Sequence, residues 1–530
     1  MPEDGPPLPR RLARAASLMA VATTASRVLG LLREVAAAWL FGATNAKAAY
    51  VIAYYLPFFV QRLLLGGTLS IVFIPTISRY LARGELDEAR RISGSLFSLV
   101  LLAGAAMVVA GLAAAPLLVP LAAPGFAASP GLPELAVRLT RIIFPAMLFL
   151  ALSVFVTGFL QAHQDFTASA LAPLLFNSTI IAGTLLLGPR IGIRGLAIAW
   201  IAGTAAQFLV QLPAARRYGL RLGRVDLAHP ALRELARLAV PAMLGLAIVE
   251  INAYVDRFFA SQLPLRPEAN PVAVLDYAYE IVQAPAGIFA ISIATAVFPL
   301  LSRHAATDNH DDLRGTASLA LRTLLFVILP VTALVLALRE PLVRLLFQRG
   351  EFGPVATRAV AATLGGYAVG LPAIAAYYVV TRTYYALQDM VTPVRIGVAM
   401  VILNGVLDYA LMRVWGVVGI ALATSIVSAI NVALLLWRLR GRLGRLDGRR
   451  IASTALRTGT AAIAAGLLMA AVADAVRPAG LVERSVHVGA AAVIGALVYV
   501  GACRLLRVEE LRVAFQLLRS PPSRSARVAR

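Results

Sequence analysis

Long apolar segments separated by short polar connections run through most of the chain. An α-helix needs about 20 apolar residues to cross a bilayer, and it satisfies its backbone polar groups internally. Fourteen segments fit this description, at about residues 15–40, 48–78, 92–122, 135–161, 168–188, 194–215, 235–262, 272–301, 316–338, 356–386, 392–413, 417–438, 452–473 and 486–506. The pattern predicts an all-α membrane protein with about 14 transmembrane helices.

Prolines are expected to interrupt several of these spans. They are Pro57, Pro75, Pro145, Pro285, Pro299, Pro330 and Pro372. A proline inside a helix removes one backbone hydrogen bond and favours a kink. In a membrane bundle such kinks often lie beside cavities or hinges.

The sequence also contains an internal repeat. A shift of 224 residues aligns six spans with the next six without a gap, superposing Arg33 on Arg257, Pro75 on Pro299, Gln164 on Gln388 and Gly192 on Gly416. Units of six spans share one orientation in the membrane, which predicts two six-helix lobes and a site between them. The predicted organisation is a cytoplasmic N-terminal tail (1–14), an N-lobe (15–225), a C-lobe (226–445), spans 13 and 14 (446–508) and a basic cytoplasmic tail (509–530).

Composition supports a membrane location. The 530 residues are 59% hydrophobic, and the formal net charge of +22 is carried by arginine, with Lys47 as the only lysine. Arginine-rich connections follow spans 2, 6 and 12, on the side of both termini, so the positive-inside rule places both termini in the cytoplasm. Anionic membrane lipids are the expected partners of these arginines, and no soluble domain offers a nucleic-acid surface.

Several activities are disfavoured by what the sequence lacks. It has one cysteine, Cys503, so it forms no intramolecular disulfide, and its five histidines lack metal-ligand spacing. No phosphate-binding loop motif and no acidic catalytic cluster in an extramembrane loop is present. We therefore expect a transporter and not an enzyme, with no cofactor or metal, driven by an ion gradient or the membrane potential.

The stretch Ser26–Glu34 places charges inside the first span. Charges in the bilayer normally face a bundle interior or a water-filled cavity. Arg27 and Glu34 share a helix face, and Arg33 lies about 120° from Arg27. One interpretation is a cationic site for an anionic substrate, and the other is an Arg27–Glu34 ion pair that only joins helices.

Other charged or polar residues lie at comparable depth. They are Arg62, Glu250, Asp256, Arg257, Asp276, Glu280, Arg382, Asn404 and Asp408. The repeat places the first two spans of both lobes around one cleft, which favours the cavity. Guanidinium groups pair bidentately with phosphate, so Arg27, Arg33 and Arg62 would suit a pyrophosphate.

A second constellation combines oxygen ligands. Asn404 and Asp408 are four residues apart on one helical face, and Thr424 and Asp256 could join them. Hard oxygen ligands suit Na⁺ or a proton and not a soft metal. The alternative is a hydrogen-bonded cluster that only joins helices.

Several motifs resemble the lipid II flippase family (MurJ, also called MviN), within the multidrug/oligosaccharidyl-lipid/polysaccharide exporter superfamily. They are SRVLGLLRE at 26–34, LFGA at 40–43, LP and QR at 56–57 and 61–62, FIP at 73–75, PGF at 124–126, ALAPLLFN at 170–177, VDRFFAS at 255–261, LFQRGEF at 346–352 and YALQDMVTPV at 385–394. The resemblance implies two six-helix lobes, with spans 13 and 14 forming a groove for the lipid tail. It also implies alternating access, with cavity arginines holding a pyrophosphate.

The chain departs from the family pattern near its predicted site. Lys47-Ala48 stands where the family usually has an acidic run, and Gly66-Gly67 replaces a second one. Glu280 stands where the family usually places an arginine. The candidate substrate site is therefore Arg27, Arg33, Glu34, Arg62, Arg257 and Glu280.

Our main hypothesis is a flippase that moves the undecaprenyl-pyrophosphate-linked peptidoglycan precursor across the bacterial cytoplasmic membrane for cell-wall synthesis. The alternatives are a flippase for another lipid-linked oligosaccharide, a cation-coupled drug exporter of the same fold, and a non-transporting partner of the cell-wall synthesis machinery. The drug exporter would be favoured by Glu250, Asp256 and Glu280.

Overall fold

The computed structural model describes residues 8–65, 73–226, 228–230, 232, 251–444, 446–475 and 480–512, with side chains from residue 21 onward except at 60–65. Helices dominate these ranges, and they contain no β-strand. The helices are α1 (Leu8–Phe41), α2 (Asn45–Leu65), α3 (Ile74–Ala82), α4 (Leu86–Ala122), α5 (Leu132–Ile143), α6 (Ala146–Ala162), α7 (Thr167–Ile191), α8 (Ile193–Leu209), α9 (Leu212–Arg217), α10 (251–261), α11 (Pro271–Pro285), α12 (Ile291–Ala306), α13 (His310–Ala337), α14 (Arg339–Phe347), α15 (Pro354–Ala386), α16 (Val391–Leu443), α17 (Gly448–Ala475) and α18 (Leu481–Leu505).

The predicted membrane spans correspond to these helices. Within the described ranges, ten helical segments are long and apolar enough to cross a membrane. They match the eleven predicted spans 3–6 and 8–14, because the segment Val391–Leu443 covers both span 11 and span 12. Span 1 is helical in α1, and span 2 is helical at 48–65 in α2 and at 74–78 in α3. Much of predicted span 7, with Glu250, lies outside the described residues. The all-α membrane fold is confirmed, and the count of 14 is compatible with it.

The 224-residue repeat recurs in the backbone geometry. Left-handed residues occur in pairs at this spacing, namely Gly84 with Asp308, Gln164 with Gln388, and Gly192 with Gly416. Such conformations are uncommon for residues other than glycine, so their recurrence at one spacing reflects a shared chain path. The lobe boundaries at residues 225 and 445 stay predictions.

Two glycines allow the same close helix approach in both repeats. A Cβ atom on Gly195 would lie 2.7 Å from the Leu187 carbonyl carbon, and one on Gly419 would lie 2.2 Å from the Leu411 carbonyl oxygen. Leu187 and Leu411 are again 224 residues apart. Gly416 has φ 58° and breaks α16, which allows the chain to reverse with almost no loop.

The prolines affect the helices unequally. Pro145 separates α5 from α6, and Pro285 ends α11 before a π-helical turn at Ala286–Ala290. Pro330 and Pro372 instead lie inside the continuous helices α13 and α15. Pro57 and Pro299 likewise lie inside α2 and α12. A helix continues past a proline in this way because the loss of one backbone hydrogen bond leaves the flanking turns bonded, and kinks at these positions stay a prediction.

Packing divides the chain into two compact units. The first comprises Met1–Asp276 and Phe347–Ala356, and the second comprises Tyr277–Leu346 and Thr357–Arg530. Aromatic packing of Phe73, Phe97 and Phe155, at centroid distances of 4.9 and 5.7 Å, marks the core of the first unit.

The core of the second unit joins α13, α17 and α18. Gly466 of α17 packs against Ala333 of α13, and the Tyr499 hydroxyl of α18 donates to the Phe326 carbonyl at 2.6 Å. The outer face of α17 exposes Leu456, Ile463 and Leu467, at helical spacing. An exposed apolar stripe of this kind suits contact with lipid chains.

We predict that Gly419→Ala destabilises the protein, because the new methyl group collides with the α16 backbone at Leu411. Overpacking of this kind typically costs about 1–3 kcal/mol. Thermal unfolding of the purified protein in detergent measures the effect. Gly459→Ala in α17 is the control, since no atom lies within 4 Å of its added Cβ, and it is expected to be neutral or stabilising. Equal stabilities of both variants would contradict the close approach.

Candidate functional site

The charges of the Ser26–Glu34 stretch separate on α1. Arg33 and Glu34 lie in the interior of the first unit, with side-chain exposures of 14% and 10%, whereas Arg27 is exposed. Glu34 pairs with Arg33, whose Nη2 lies 3.0 Å from Oε1. The ion pair of this stretch is thus Arg33–Glu34, not the Arg27–Glu34 pair considered as the alternative. The Arg33 guanidinium lies against the carboxylate, whereas the Arg27 side chain is exposed.

The guanidinium of Arg33 is held on several sides. Its Nε and Nη2 both donate to Glu34 Oε1, at 3.2 and 3.0 Å, and its Nη1 donates to Asn177 Oδ1 of α7 at 3.2 Å. The group also lies over the rings of Trp200 and Phe176, at 5.3 and 5.9 Å from their centroids. Cation–π contacts of this kind fix the plane of a guanidinium while leaving part of it accessible.

Asn177 is itself oriented by α1. Its Nδ2 donates to the carbonyl and the hydroxyl of Ser26, both at 3.3 Å, and to the Pro173 carbonyl at 3.1 Å. The amide oxygen therefore faces Arg33. The polar residues of the first span and of the ALAPLLFN segment form one network.

Lys47 lies at the centre of the buried charges. It is the third residue of α2, its side chain is 1% exposed, and its Nζ lies 2.9 Å from Glu34 Oε2 and 3.7 Å from Asp276 Oδ2. Buried lysines are rare unless they are paired. Lys47 connects the carboxylate of α1 with that of α11.

Arg257 completes the row of charges. Its Nη2 lies 3.0 Å from Asp276 Oδ1, and its Nη1 donates to the Ala253 carbonyl at 2.8 Å. The guanidinium packs over the ring of Tyr55, 3.6 Å from the centroid. The hydroxyl of Tyr54 donates to Asp276 Oδ1 at 3.0 Å. Arg257 thus contacts both α2 and α11, through Tyr55 and Asp276.

Opposite charges alternate along this row, which runs Arg33, Glu34, Lys47, Asp276, Arg257 and which we call the ion-pair row. Its three cations and two carboxylates give a formal net charge of +1. Exposure falls from 14% at Arg33 to 3% or less at the last three side chains. Among these five side chains, those of Arg33 and Glu34 are therefore the accessible ones, and a ligand can reach the row only at that end.

Aromatic rings surround the ion-pair row. Tyr54 stacks on Trp200 at 5.2 Å between centroids, and Tyr50 and Tyr55 lie within 5.4 Å of Tyr54. Such rings lower the local dielectric constant and strengthen the ionic contacts.

The remaining predicted site residues fall elsewhere. The side chain of Arg62 lies outside the described residues. Glu280 is half-buried and belongs to the second compact unit, whereas Arg33, Glu34 and Arg257 belong to the first. The grouping of Arg27, Arg62 and Glu280 with the site stays a prediction.

Sequence reasoning missed three participants. Lys47, Asn177 and Trp200 were not assigned to the site, and Asp276 was recognised only as an intramembrane charge. One signal was available for Lys47, since a single lysine in an arginine-rich membrane protein is unusual. Asn177 and Trp200 carry no such signal, because a membrane helix often uses either residue for packing alone.

The second constellation is partly assembled in α16. Asn404 and Asp408 are both fully buried, and Asn404 Nδ2 donates to Asp408 Oδ2 at 2.8 Å. Thr424, also buried, donates to the Ile420 carbonyl of its own helix at 3.3 Å. Asp256 is buried in the first compact unit. In the described ranges, no group of three or more His, Cys, Asp or Glu residues could hold a metal ion.

A bundle of membrane helices with charges buried in its interior is an architecture found among transporters. Solved structures share this fold. An inward-facing transporter of the multidrug-resistance MATE family, from the MOP superfamily, has a TM-score of 0.67 at 16% identity, covering 80% of this chain and 96% of that one, so the two share a fold.

A narrower similarity identifies the family. A structure titled "Lipid II flippase MurJ, inward closed conformation" has a TM-score of 0.77 at 25% identity and covers 95% of this chain and 100% of that one. The family model "Lipid II flippase MurJ" matches residues 37–486. The chain belongs to the MurJ lipid II flippase family.

Curated relatives agree with this assignment. The "Probable lipid II flippase MurJ" of Rhizobium meliloti is 32% identical over 439 residues, covering 80% of each chain. The protein of the same description from Vibrio cholerae is 30% identical over 440 residues, covering 80% of this chain and 82% of its own. Membership places this multi-pass membrane protein among transporters and not among enzymes.

We predict that Asp276→Asn destabilises the protein, because it leaves Lys47 and Arg257 buried with too little negative charge. Breaking a buried ion pair in this way typically costs about 3–5 kcal/mol. Thermal unfolding in detergent is the measurement. Asp87→Asn is the control, since the Asp87 side chain is fully exposed beside Arg90 and such pairs contribute little. Similar losses in the two variants would contradict the ion-pair row.

Proposed function

We propose that this protein translocates lipid II from the inner to the outer leaflet of the bacterial cytoplasmic membrane by alternating access. The observation that carries the proposal is the net positive ion-pair row, open at Arg33, in a chain of the MurJ family. Lipid II presents a pyrophosphate between its polyprenyl chain and its sugars. The fork of a guanidinium matches phosphate oxygens bidentately, which a lysine cannot do.

The arrangement of charges argues against a cationic cargo. A drug exporter for cations would need an available carboxylate, but Glu34 already pairs with Arg33 and Lys47. Asp276 likewise pairs with Lys47 and Arg257. The row retains an excess of positive charge, so it favours an anion.

Another lipid-linked oligosaccharide would share the pyrophosphate. The ion-pair row recognises that group and not the sugars, so it does not by itself distinguish the two cargoes. Family membership favours lipid II, because the relatives carry that name. Purified protein offered lipid II and a different undecaprenyl-pyrophosphate glycolipid would separate the alternatives.

The polyprenyl tail requires an apolar path outside the polar site. In α18 the residues Val482, Val486, Val493 and Leu497 form an exposed stripe, and α17 exposes a similar one. We propose that spans 13 and 14 accommodate the tail along these faces. Hydrophobic contact suffices for this role, because the tail carries no polar group.

We propose that the buried oxygen cluster of α16 couples transport to Na⁺ or to protons. Asp408 and Asn404 supply buried oxygens at one level of the helix, and Thr424 adds a hydroxyl in the same compact unit. Such ligands are those that Na⁺ prefers. Burial of a carboxylate in a membrane span also costs free energy unless the carboxylate binds a cation or a proton.

The proposed membrane orientation follows from the distribution of arginine. Both termini lie in the cytoplasm, where arginine-rich connections contact anionic lipid. This orientation places the arginine cluster at 438–442 on the leaflet where lipid II is made. Contact with the cell-wall synthesis machinery on the other side is a further expectation.

We predict that Arg33→Gln abolishes the ability of this protein to support growth of a strain depleted of its own lipid II flippase. Arg33→Lys should act partially, because it keeps the charge and loses the fork. Losing a charge-assisted bond costs about 1.5–3 kcal/mol, which corresponds to at least about tenfold weaker lipid II binding. Arg190→Gln is the control, since Arg190 is exposed and donates only to the Leu186 carbonyl of its own helix. Full growth with Arg33→Gln would remove the pyrophosphate role.

We predict that Asp408→Asn makes transport insensitive to the Na⁺ gradient and to the pH gradient. The amide keeps the shape of the side chain but cannot bind a cation as a carboxylate does. Lipid II movement in proteoliposomes, with each gradient imposed separately, is the measurement. Asp474→Asn is the control, because Asp474 is exposed at the end of α17. If Asp408→Asn responds to both gradients like the unmodified protein, the coupling proposal fails.

A further inference from the structure

Lys47 is buried in the ion-pair row, away from the accessible end at Arg33. Its side chain is 1% exposed, so it has no access to a ligand in this conformation. It nevertheless pairs with two carboxylates from different helices, Glu34 of α1 and Asp276 of α11. A buried ammonium with two carboxylate partners changes the charge available to both.

The two oxygens of Glu34 have different partners. Oε1 accepts both bonds from Arg33, and Oε2 accepts the bond from Lys47 at 2.9 Å. The negative charge of Glu34 is therefore shared between a guanidinium and an ammonium. Without the ammonium, the whole negative charge of Glu34 would act on Arg33. An anionic ligand would then compete less well with Glu34 for the guanidinium.

The two oxygens of Asp276 are divided in the same way. Oδ1 accepts from Arg257 and Tyr54, both at 3.0 Å, and Oδ2 faces Lys47 at 3.7 Å. Lys47 thus offsets part of the charge of both carboxylates. Replacing it by a neutral residue would lower the formal charge of the ion-pair row from +1 to zero.

We propose that Lys47 is a positioning residue of the anion site. Its ammonium offsets part of the negative charge of both Glu34 and Asp276. This weakens the hold of Glu34 on the guanidinium of Arg33, so that the pyrophosphate of the cargo can replace Glu34 there. This inference rests on the proposed function for the identity of the anion. It adds that the only lysine of the chain sets the charge of the site without touching the ligand.

A purely structural role predicts a different result. If Lys47 only ties α2 to α1 and α11, then removing a carboxylate as well can restore stability but leaves the tie missing, so lipid II binding is not restored. If Lys47 acts through charge, then removing one carboxylate together with the ammonium restores the formal charge to +1. The two roles therefore differ in what the second substitution does to lipid II binding: it restores binding if Lys47 acts through charge, and it does not if Lys47 is only structural.

The test compares Lys47→Met, Glu34→Gln and the double variant Lys47→Met/Glu34→Gln, because Glu34 is the carboxylate that competes for Arg33 while Asp276 keeps its pair with Arg257. Purified full-length proteins in detergent are titrated with lipid II, and the dissociation constant is measured beside the thermal unfolding midpoint. We expect Lys47→Met to weaken lipid II binding roughly tenfold or more, as for other buried charge pairs that lose one partner. The double variant is expected to recover most of that affinity.

Two results would overturn the inference. One is lipid II binding by Lys47→Met that equals binding by the unmodified protein. The other is a double variant that remains folded but binds no better than Lys47→Met. Failure of the proposed function is distinguishable from both, because in that case the unmodified protein would not bind lipid II. The double variant also covers a Lys47→Met protein that fails to fold, since it removes the unbalanced carboxylate at the same time.

Discussion

The requirement that buried charges be paired governs the functional half of this structure. Moving an ion out of water costs several kcal/mol unless another charge and hydrogen bonds replace the water. Five ionised side chains from α1, α2, α10 and α11 meet this requirement by alternating in sign. Because each group pairs with an oppositely charged neighbour, the position of one helix constrains the others. Arg33 is the member that still reaches accessible space.

The departures from the family pattern become understandable in this light. The chain lacks the acidic residue that the family usually has after the first span, and it carries Lys47 there instead. In the folded protein this lysine pairs with Glu34 and Asp276, so it adds one positive charge to the ion-pair row. Site charge is a property of the assembled cluster, and substitutions at several positions can produce the same total.

The two halves of the internal repeat share backbone features although their side-chain chemistry differs. Left-handed residues and close glycine contacts recur 224 residues apart, at Gly192 with Gly416 and at Gly195 with Gly419. The chemistry does not recur. Arg33 and Arg257 are equivalent in the repeat, but one is open to accessible space and the other is buried against Tyr55 and Asp276.

The sequence by itself determined the helical membrane fold, the repeat and the position of Arg33 and Glu34 within the first span, because apolar segment length, spacing and intramembrane charge are local properties. It did not determine which charges meet. Helical periodicity favoured Arg27 as the partner of Glu34, whereas the fold brings Lys47 to Glu34 and Asn177 to Arg33. Those contacts join residues up to 144 positions apart. Only tertiary packing decides them, since the pairing energy depends on distance and burial and not on separation along the chain.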